Sequence, residues 1–238
     1  MMLFAIQKTK EFIDRHYFEE GHDLKHALAV VSNVQRLVFN HPVEEIQITR
    51  DQAEDINLAA LLHDVDDRKF FSKHQGLYKN ARKLLQSILP GETERHESII
   101  YMISLVSASS NGNSMLPDHQ IWLYYPRFAD RLEAIGPVGV ERCRSYSIHS
   151  DRPMFLDSTP RVETEDELWR VATPERFRKY LKVKESVSFI DHFYDKLLHI
   201  GTPQALGWCT NPYLVTEAAD RHLYMVNYIL VFGLTGEI

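Results

Sequence analysis

Apolar residues recur along this chain at spacings of three and four, and almost never at two. In KTKEFIDRHYF, HALAVVSNVQRLVF, DQAEDINLAALLHDV, YKNARKLLQSIL, ETERHESIIYMISLV, RFADRLEAI, VGVERCRSY, VSFIDHFYDKLLHI and AADRHLYMVNYILVF the apolar positions line one helical face. A half-buried strand would alternate instead. Strand-like runs are nearly absent, so the pattern predicts an all-α protein. Breaks fall at Gly21, His41-Pro42, Pro90-Gly91, the polar tract SASSNGNSMLPD and Gly136-Pro137, where turn-forming residues interrupt the periodicity. From 147 to 180 the pattern weakens into charges and prolines, HSDRPMFLDSTPRVETEDE. The expectation is a single domain over residues 1–238, with 147–180 an irregular insertion or lid. No repeat at a solenoid period is visible.

One helical run ends oddly. In LAALLHDVDDRKFF, residues 58–71, Leu58, Leu61, Leu62 and Val65 share the core face of a wheel turning about 100° per residue. His63 and Asp64 lie opposite, Asp67 projects between them one turn on, and Ala59 and Ala60 leave room for other helices. Upstream, GHDLKHALAVV offers His22, Asp23 and His26 at the start of a helix whose Leu28, Val31 and Leu37 look like core; Asp23 reads as its cap. Downstream, PRFADRLEAIG turns Asp130 away from a stripe of Phe128, Leu132 and Ile135, with small Ala134 one turn on.

This order of His26, His63-Asp64 and Asp130 resembles the HD superfamily of metal-dependent phosphohydrolases, in particular its bacterial-type branch of nucleoside triphosphate pyrophosphatases. GHDLKH, LLHDVDDRKF and FADRLEAIGPVG stand where that branch has GHDxxH, LLHDVxDxKF and DADRLDAIGxxG. HFYDKLL and AADRHLYM are similar as well, so the resemblance runs roughly from residue 10 to 232 on a pattern reading. The chain departs from the pattern at Ala29, Phe128 and Glu133, and SASSNGNS lacks a lysine often seen there.

The resemblance implies an HD-domain helical bundle with extra C-terminal helices. It also implies a divalent ion held by His26, His63, Asp64 and Asp130, with Asp67 as general acid/base. Such a donor set suits Mn²⁺ foremost, then Co²⁺, Fe²⁺ or Mg²⁺; a closed structural zinc site would use cysteines. Lys69, Arg131, His192, Lys196 and Arg221 are the cations expected to meet substrate phosphates, His192 and Lys196 sharing a helix face four residues apart. Arg131 has a second use open to it, bracing an acid such as Glu141. The implied reaction cleaves a nucleoside triphosphate to monophosphate and pyrophosphate. A 5′-nucleotidase-type phosphomonoesterase and a low-turnover nucleotide-binding regulatory module are the alternatives.

Composition narrows the setting. With 238 residues, 44% of them hydrophobic, the chain can bury a core without staples. Its two cysteines, Cys143 and Cys209, read as reduced thiols of an intracellular protein. A net charge of −6 gives no basic field for a nucleic acid polymer, and no apolar run approaches a membrane span. The expected setting is cytoplasmic and the expected partner a small nucleotide. Amphipathic helices at both ends would serve a homodimer or a monomer equally. His22, His74, His96 and His149 read as ordinary core or surface histidines, and Asp66 and Arg68 as solvated.

Overall fold

Helix α3 (Arg50–Leu62) has no polar face over its last turns. It starts at Thr49, whose hydroxyl accepts the Gln52 amide at 3.2 Å while the Gln52 side chain accepts the Thr49 amide at 2.8 Å. Two otherwise orphaned donors are satisfied in that exchange. Leu58 to Leu62 are then buried on every side, because α1 (Met2–His16), α2 (Leu24–Phe39) and α5 (Thr93–Val106) all pack on α3. The computed structural model describes residues 1–16, 23–67, 70–71, 76–116 and 120–238, and among them helices are joined by turns with no strand.

Two compact units divide the chain. The first comprises Met1–Ser107, Leu116–Asp130 and Asn211–Tyr213. Besides α1, α2, α3 and α5 it holds α4 (Lys79–Ile88), a 3₁₀ turn at Ile121–Tyr124 and the start of α7 (Tyr125–Ala134). Its core is aliphatic: Val30, Val34, Leu37, Ile56, Leu85, Ile99 and Met102 are buried, with Tyr124 and Phe128 completing it. Removing one such leucine costs about 2–5 kcal/mol. Leu28, expected in this core, is exposed. It stands about half a turn round the wheel from Leu37, so the two cannot share a face.

The second unit comprises Ala108–Met115, Arg131–Thr210 and Leu214–Ile238. It opens with the single turn α6 (Ala108–Asn111) and continues with α8 (Gly136–His149), α9 (Glu165–Val171) and α10 (Pro174–Val183). Then α11 (Phe189–His192), a π turn at Phe193–Leu197 and α12 (Leu198–Ile200) form one continuous helical run. Most of α13 (Pro212–Thr235) completes it.

The stretch 147–180, expected to be irregular, holds α9 and most of α10. Helices of 7 and 10 residues are too short to print a clear period, but each has a strong start. Thr164 and Glu167 form a capping box, and Thr173 caps α10 with Pro174 at its first position. The stretch is fastened to its unit by the buried Asp191, which accepts from Thr159 at 2.9 Å, Ser188 at 2.7 Å and Arg176 at 2.7 Å. Val162 also abuts α13 so closely that a Cβ on Gly233 would lie 1.8 Å from its carbonyl oxygen. Among the described residues no helix is long and apolar enough to cross a membrane.

Candidate metal centre

His26, His63, Asp64 and Asp130 come together in the first unit from three helices. His26 sits in the first turn of α2, where the cap Asp23 accepts its backbone amide at 2.9 Å. His63 and Asp64 follow directly on α3, and Asp130 lies on α7 behind the buried Phe128 and Ala129. His26 Nε2 is 3.6 Å from Asp64 Oδ2 and 3.3 Å from Asp130 Oδ1. His63 Nε2 is 3.1 Å and 3.7 Å from the same two oxygens. The two imidazoles meet edge to face, with centroids 5.2 Å apart.

These spacings fit a shared ion. Donors at about 2.1 Å from a metal stand roughly 3.0 Å apart in an octahedron and 3.4 Å apart in a tetrahedron. Donor atoms of His26, His63 and Asp130 all lie within 4.8 Å of one another. The two imidazole side chains are 4% and 2% exposed, the carboxylates of Asp64 and Asp130 19% and 25%. The imidazoles are thus the closed floor, and the carboxylates form the edge that solvent or a ligand reaches. His63 Nδ1 lies 2.8 Å from the Ala60 carbonyl. A carbonyl only accepts, so Nδ1 carries the proton and Nε2 is left to face the cluster, the arrangement of a metal-binding histidine.

Electrostatics bind the cluster tightly even without an ion. Burial works against charge on His63, but the carboxylates of Asp64 and Asp130 outweigh it and raise the imidazole to about 9. Burial likewise opposes the charge on Asp130, and the His26 hydrogen bond with both imidazoles nearby lowers it to about 2. The two carboxylates thus face one position that favours a cation: a proton on His63 Nε2 fills it without an ion, and a divalent ion would displace that proton.

The regular α3 helix stops at Leu62, earlier than the wheel reading assumed. Residues 63–66 continue as turns, Val65 N–H donating to Leu62 O at 3.3 Å and Asp67 N–H to Asp64 O at 2.9 Å. Asp67 is half-buried beyond this turn, and its carbonyl accepts the amides of Phe70 and Phe71. Lys69, Arg68, His22 and His74 lie outside the described residues.

The other expected substrate cations belong to the second unit and divide into two kinds. Arg131 is 1% exposed and donates to the carbonyls of Gly112 and Ala205, each at 2.5 Å, so its guanidinium serves the fold rather than an open surface. Arg221 donates to the Leu132 carbonyl and pairs with Glu133 at 3.3 Å and Glu217 at 3.1 Å. His192 and Lys196 remain half-buried and converge on Tyr180: the imidazole meets that ring edge-on, and Lys196 Nζ lies 5.7 Å from its centroid. His192 Nδ1 also lies 3.1 Å from the Ser186 hydroxyl.

Sequence reasoning missed two supporting residues. Asn33, two turns after His26 on α2, accepts from the Tyr213 hydroxyl at 2.7 Å and reaches the Ala129 carbonyl at 3.4 Å, beside Asp130. The available signal was an amide at position 33 of VVSNVQRLV, on the face shared by Val30, Val34 and Leu37, whereas Gln35 falls on the exposed side. Asp66, read as solvated, instead accepts two backbone amides of α4. Nothing local announces that, since its partners lie 14 and 15 residues further along the chain.

No family model matches the chain. The uncharacterized protein L803 of Acanthamoeba polyphaga mimivirus is 38% identical over 239 residues, which span 94% of this chain and 93% of L803. Among solved structures, a Lactobacillus plantarum protein aligns with a TM-score of 0.66 at 21% identity, over 97% of this chain and 96% of its own. An HD-superfamily hydrolase from Bacillus thuringiensis aligns with a TM-score of 0.61 at 23% identity, over 96% of this chain and 92% of its own. Bacillus subtilis YpgQ, solved in complex with ADP, aligns with a TM-score of 0.61 at 19% identity, over 99% of this chain and 96% of its own.

Proposed function

We propose a function from one premise: the chain belongs to the family of the mimiviral protein L803 and has the helical fold of HD-superfamily hydrolases. On this reading it is a metal-dependent phosphohydrolase acting on nucleotides, and it cleaves a nucleoside triphosphate to monophosphate and pyrophosphate. The observation that carries the reading is the convergence of His26, His63, Asp64 and Asp130, whose donor atoms approach to between 3.1 and 3.7 Å. The ADP bound to YpgQ supports a nucleotide as the ligand class.

His26, His63, Asp64 and Asp130 would hold the ion, with Mn²⁺ the first choice for two imidazoles and two carboxylates. A divalent ion there supplies charge neutralisation of phosphate oxygens and acidification of a water molecule. The Ala60 carbonyl keeps His63 in the tautomer that offers Nε2. Asp67 takes the proton-handling role, receiving a proton from the attacking water or delivering one to the leaving group. Arg131 and Arg221 are engaged with carbonyls and acids, so this reading gives them structural roles.

The test is hydrolysis of a nucleotide panel by ion-stripped and Mn²⁺-reconstituted protein, resolving pyrophosphate from free phosphate, with His63→Ala alongside. Pyrophosphate that requires both Mn²⁺ and His63 is the expected result. Free phosphate from monophosphates would instead establish the phosphomonoesterase. Nucleotide binding without product would leave a regulatory module.

A further inference from the structure

Both carboxylate oxygens of Asp66 are taken by the first turn of α4. Oδ1 accepts the Asn80 amide at 3.0 Å, and Oδ2 accepts the Ala81 amide at 2.8 Å. The Asn80 side chain returns the contact, donating to the Val65 carbonyl at 3.0 Å. Three hydrogen bonds therefore tie residues 65 and 66 to α4.

This helix has no cap of its own. Tyr78, at the cap position, is left-handed with φ 48° and ψ 41°, and its side chain makes no capping bond. The second and third amides of a helix are the ones a cap residue accepts, and here they are the amides Asp66 takes. Helices α2, α3, α9, α10 and α11 each draw their cap from the residue just before them. Helix α4 draws it from the turn that carries His63 and Asp64.

That turn needs outside support. Beyond Leu62 the backbone has left the regular ladder, and Val65 and Asp67 donate in short turns at 3.3 Å and 2.9 Å. The directions of two adjacent side chains, His63 and Asp64, depend on those few dihedrals. Short turns of this kind open easily unless tertiary contacts hold them.

We propose that Asp66 is a positioning residue: by capping α4 from a distance it holds the turn that aims His63 and Asp64, and so sets the affinity of the divalent-ion site. The proposal rests on the metal reading above. Asp66 does not touch the ion; it acts through the Val65 backbone and the first turn of α4.

Calorimetric titration of Mn²⁺ into ion-stripped protein tests it, with the visible absorption of Co²⁺ and ion-free melting curves recorded in parallel. Asp66→Ala should raise the Mn²⁺ Kd about 10- to 100-fold, the range for loss of groups that orient metal-binding side chains. It should also change the Co²⁺ bands, which report donor geometry. Asp66→Asn, able to accept only one of the two amides well, should fall between wild type and Asp66→Ala. Asn80→Ala, which keeps both Asp66 bonds and removes the one to Val65, should weaken binding by less.

A Kd and Co²⁺ spectrum matching wild type in Asp66→Ala, with only a lowered melting temperature, would reduce Asp66 to a helix cap and overturn the proposal. Should Asp66→Ala not fold, unchanged affinity in both Asp66→Asn and Asn80→Ala overturns it equally. If wild type takes up neither ion, the metal reading itself fails and the proposal falls with it. Binding abolished by His63→Ala but untouched by Asp66→Ala sinks the positioning role alone.

Discussion

The Ala60 carbonyl receives the Nδ1–H of His63 at 2.8 Å, and this single bond decides which nitrogen the imidazole presents to the cluster. A ring held this way already aims Nε2 at the cluster, so an ion has only to displace the proton there. Mn²⁺ at a hundredfold excess over its Kd should stabilise the protein by about 2.7 kcal/mol. For a chain of this size that is a rise in Tm of roughly 5–10 °C. His63→Ala should abolish the rise, and a chelator should reverse it in wild type. Differential scanning fluorimetry with and without Mn²⁺ is the check; equal stabilisation of wild type and variant would place the ion elsewhere.

Asp67→Asn separates proton handling from ion binding. The substitution keeps the size of a half-buried side chain and removes its capacity to exchange a proton. Turnover should fall about 10²- to 10⁴-fold, the usual contribution of a positioned acid or base. Mn²⁺ affinity should be nearly unchanged. Calorimetry paired with steady-state rates distinguishes this from loss of the ion, which would depress both.

Much of this arrangement was readable from the chain alone, and the remainder was hidden for identifiable reasons. The helices were visible because apolar spacing is local. His63, Asp64 and Asp130 stood out because each lies off its helix's apolar stripe beside small residues, and the resemblance grouped them with His26. What the wheel could not show was that α3 stops at Leu62, since apolar periodicity carries on through Val65 while the ladder does not. Nor could it show where Arg131 spends its charge: the carbonyls of Gly112 and Ala205 are chosen by tertiary structure, not by neighbours in sequence.

Asn33 links two of the helices that carry the cluster. It receives the Tyr213 hydroxyl at 2.7 Å and reaches the Ala129 carbonyl at 3.4 Å. Asn33→Ala leaves a half-buried hydroxyl and a carbonyl without that partner, which should cost about 1–3 kcal/mol. Denaturant unfolding at fixed pH measures it. Asn33→Asp should recover the Tyr213 bond and forfeit the one to Ala129, giving a smaller loss unless burial of the new charge dominates.

Acid should weaken the second unit through two histidines. Burial lowers the pKa of His222, stacked on Trp169 at 5.7 Å, and of His199, stacked on Phe177 at 5.1 Å. Each takes up a proton less readily in the folded state than in the unfolded chain, which protonates near 6.5. Their contribution to stability is therefore complete above about pH 6.5 and declines as pH falls below it, by at most about 1.4 kcal/mol per pH unit for each. His222→Phe keeps a flat ring against Trp169 and removes one titrating group, so its stability should fall less steeply between pH 6.5 and 5. Chemical denaturation across that range is the measurement; parallel slopes in wild type and variant would refute the assignment.

The π turn at Phe193–Leu197 has a consequence written in the letters around it. Residues 189–200 read FIDH-FYDK-LLHI, three tetrads each opening on two apolar residues. Phe189, Ile190, Phe193, Tyr194, Leu197 and Leu198 are all buried. A spacing of four overshoots each α-helical turn by about 40°, so such pairs would spiral away from the core in an unbroken α-helix. One wider turn absorbs the drift and keeps all six facing inward, with His192 and Lys196 along the outer side. Winding all of these residues as an ordinary α-helix would swing His199 and Ile200 round by about 100°, whereas deleting a single residue from the wide turn would restore ordinary winding and leave them facing as they do. The tetrad is thus a rhythm of its own, tuned to a helix that is locally one residue too wide.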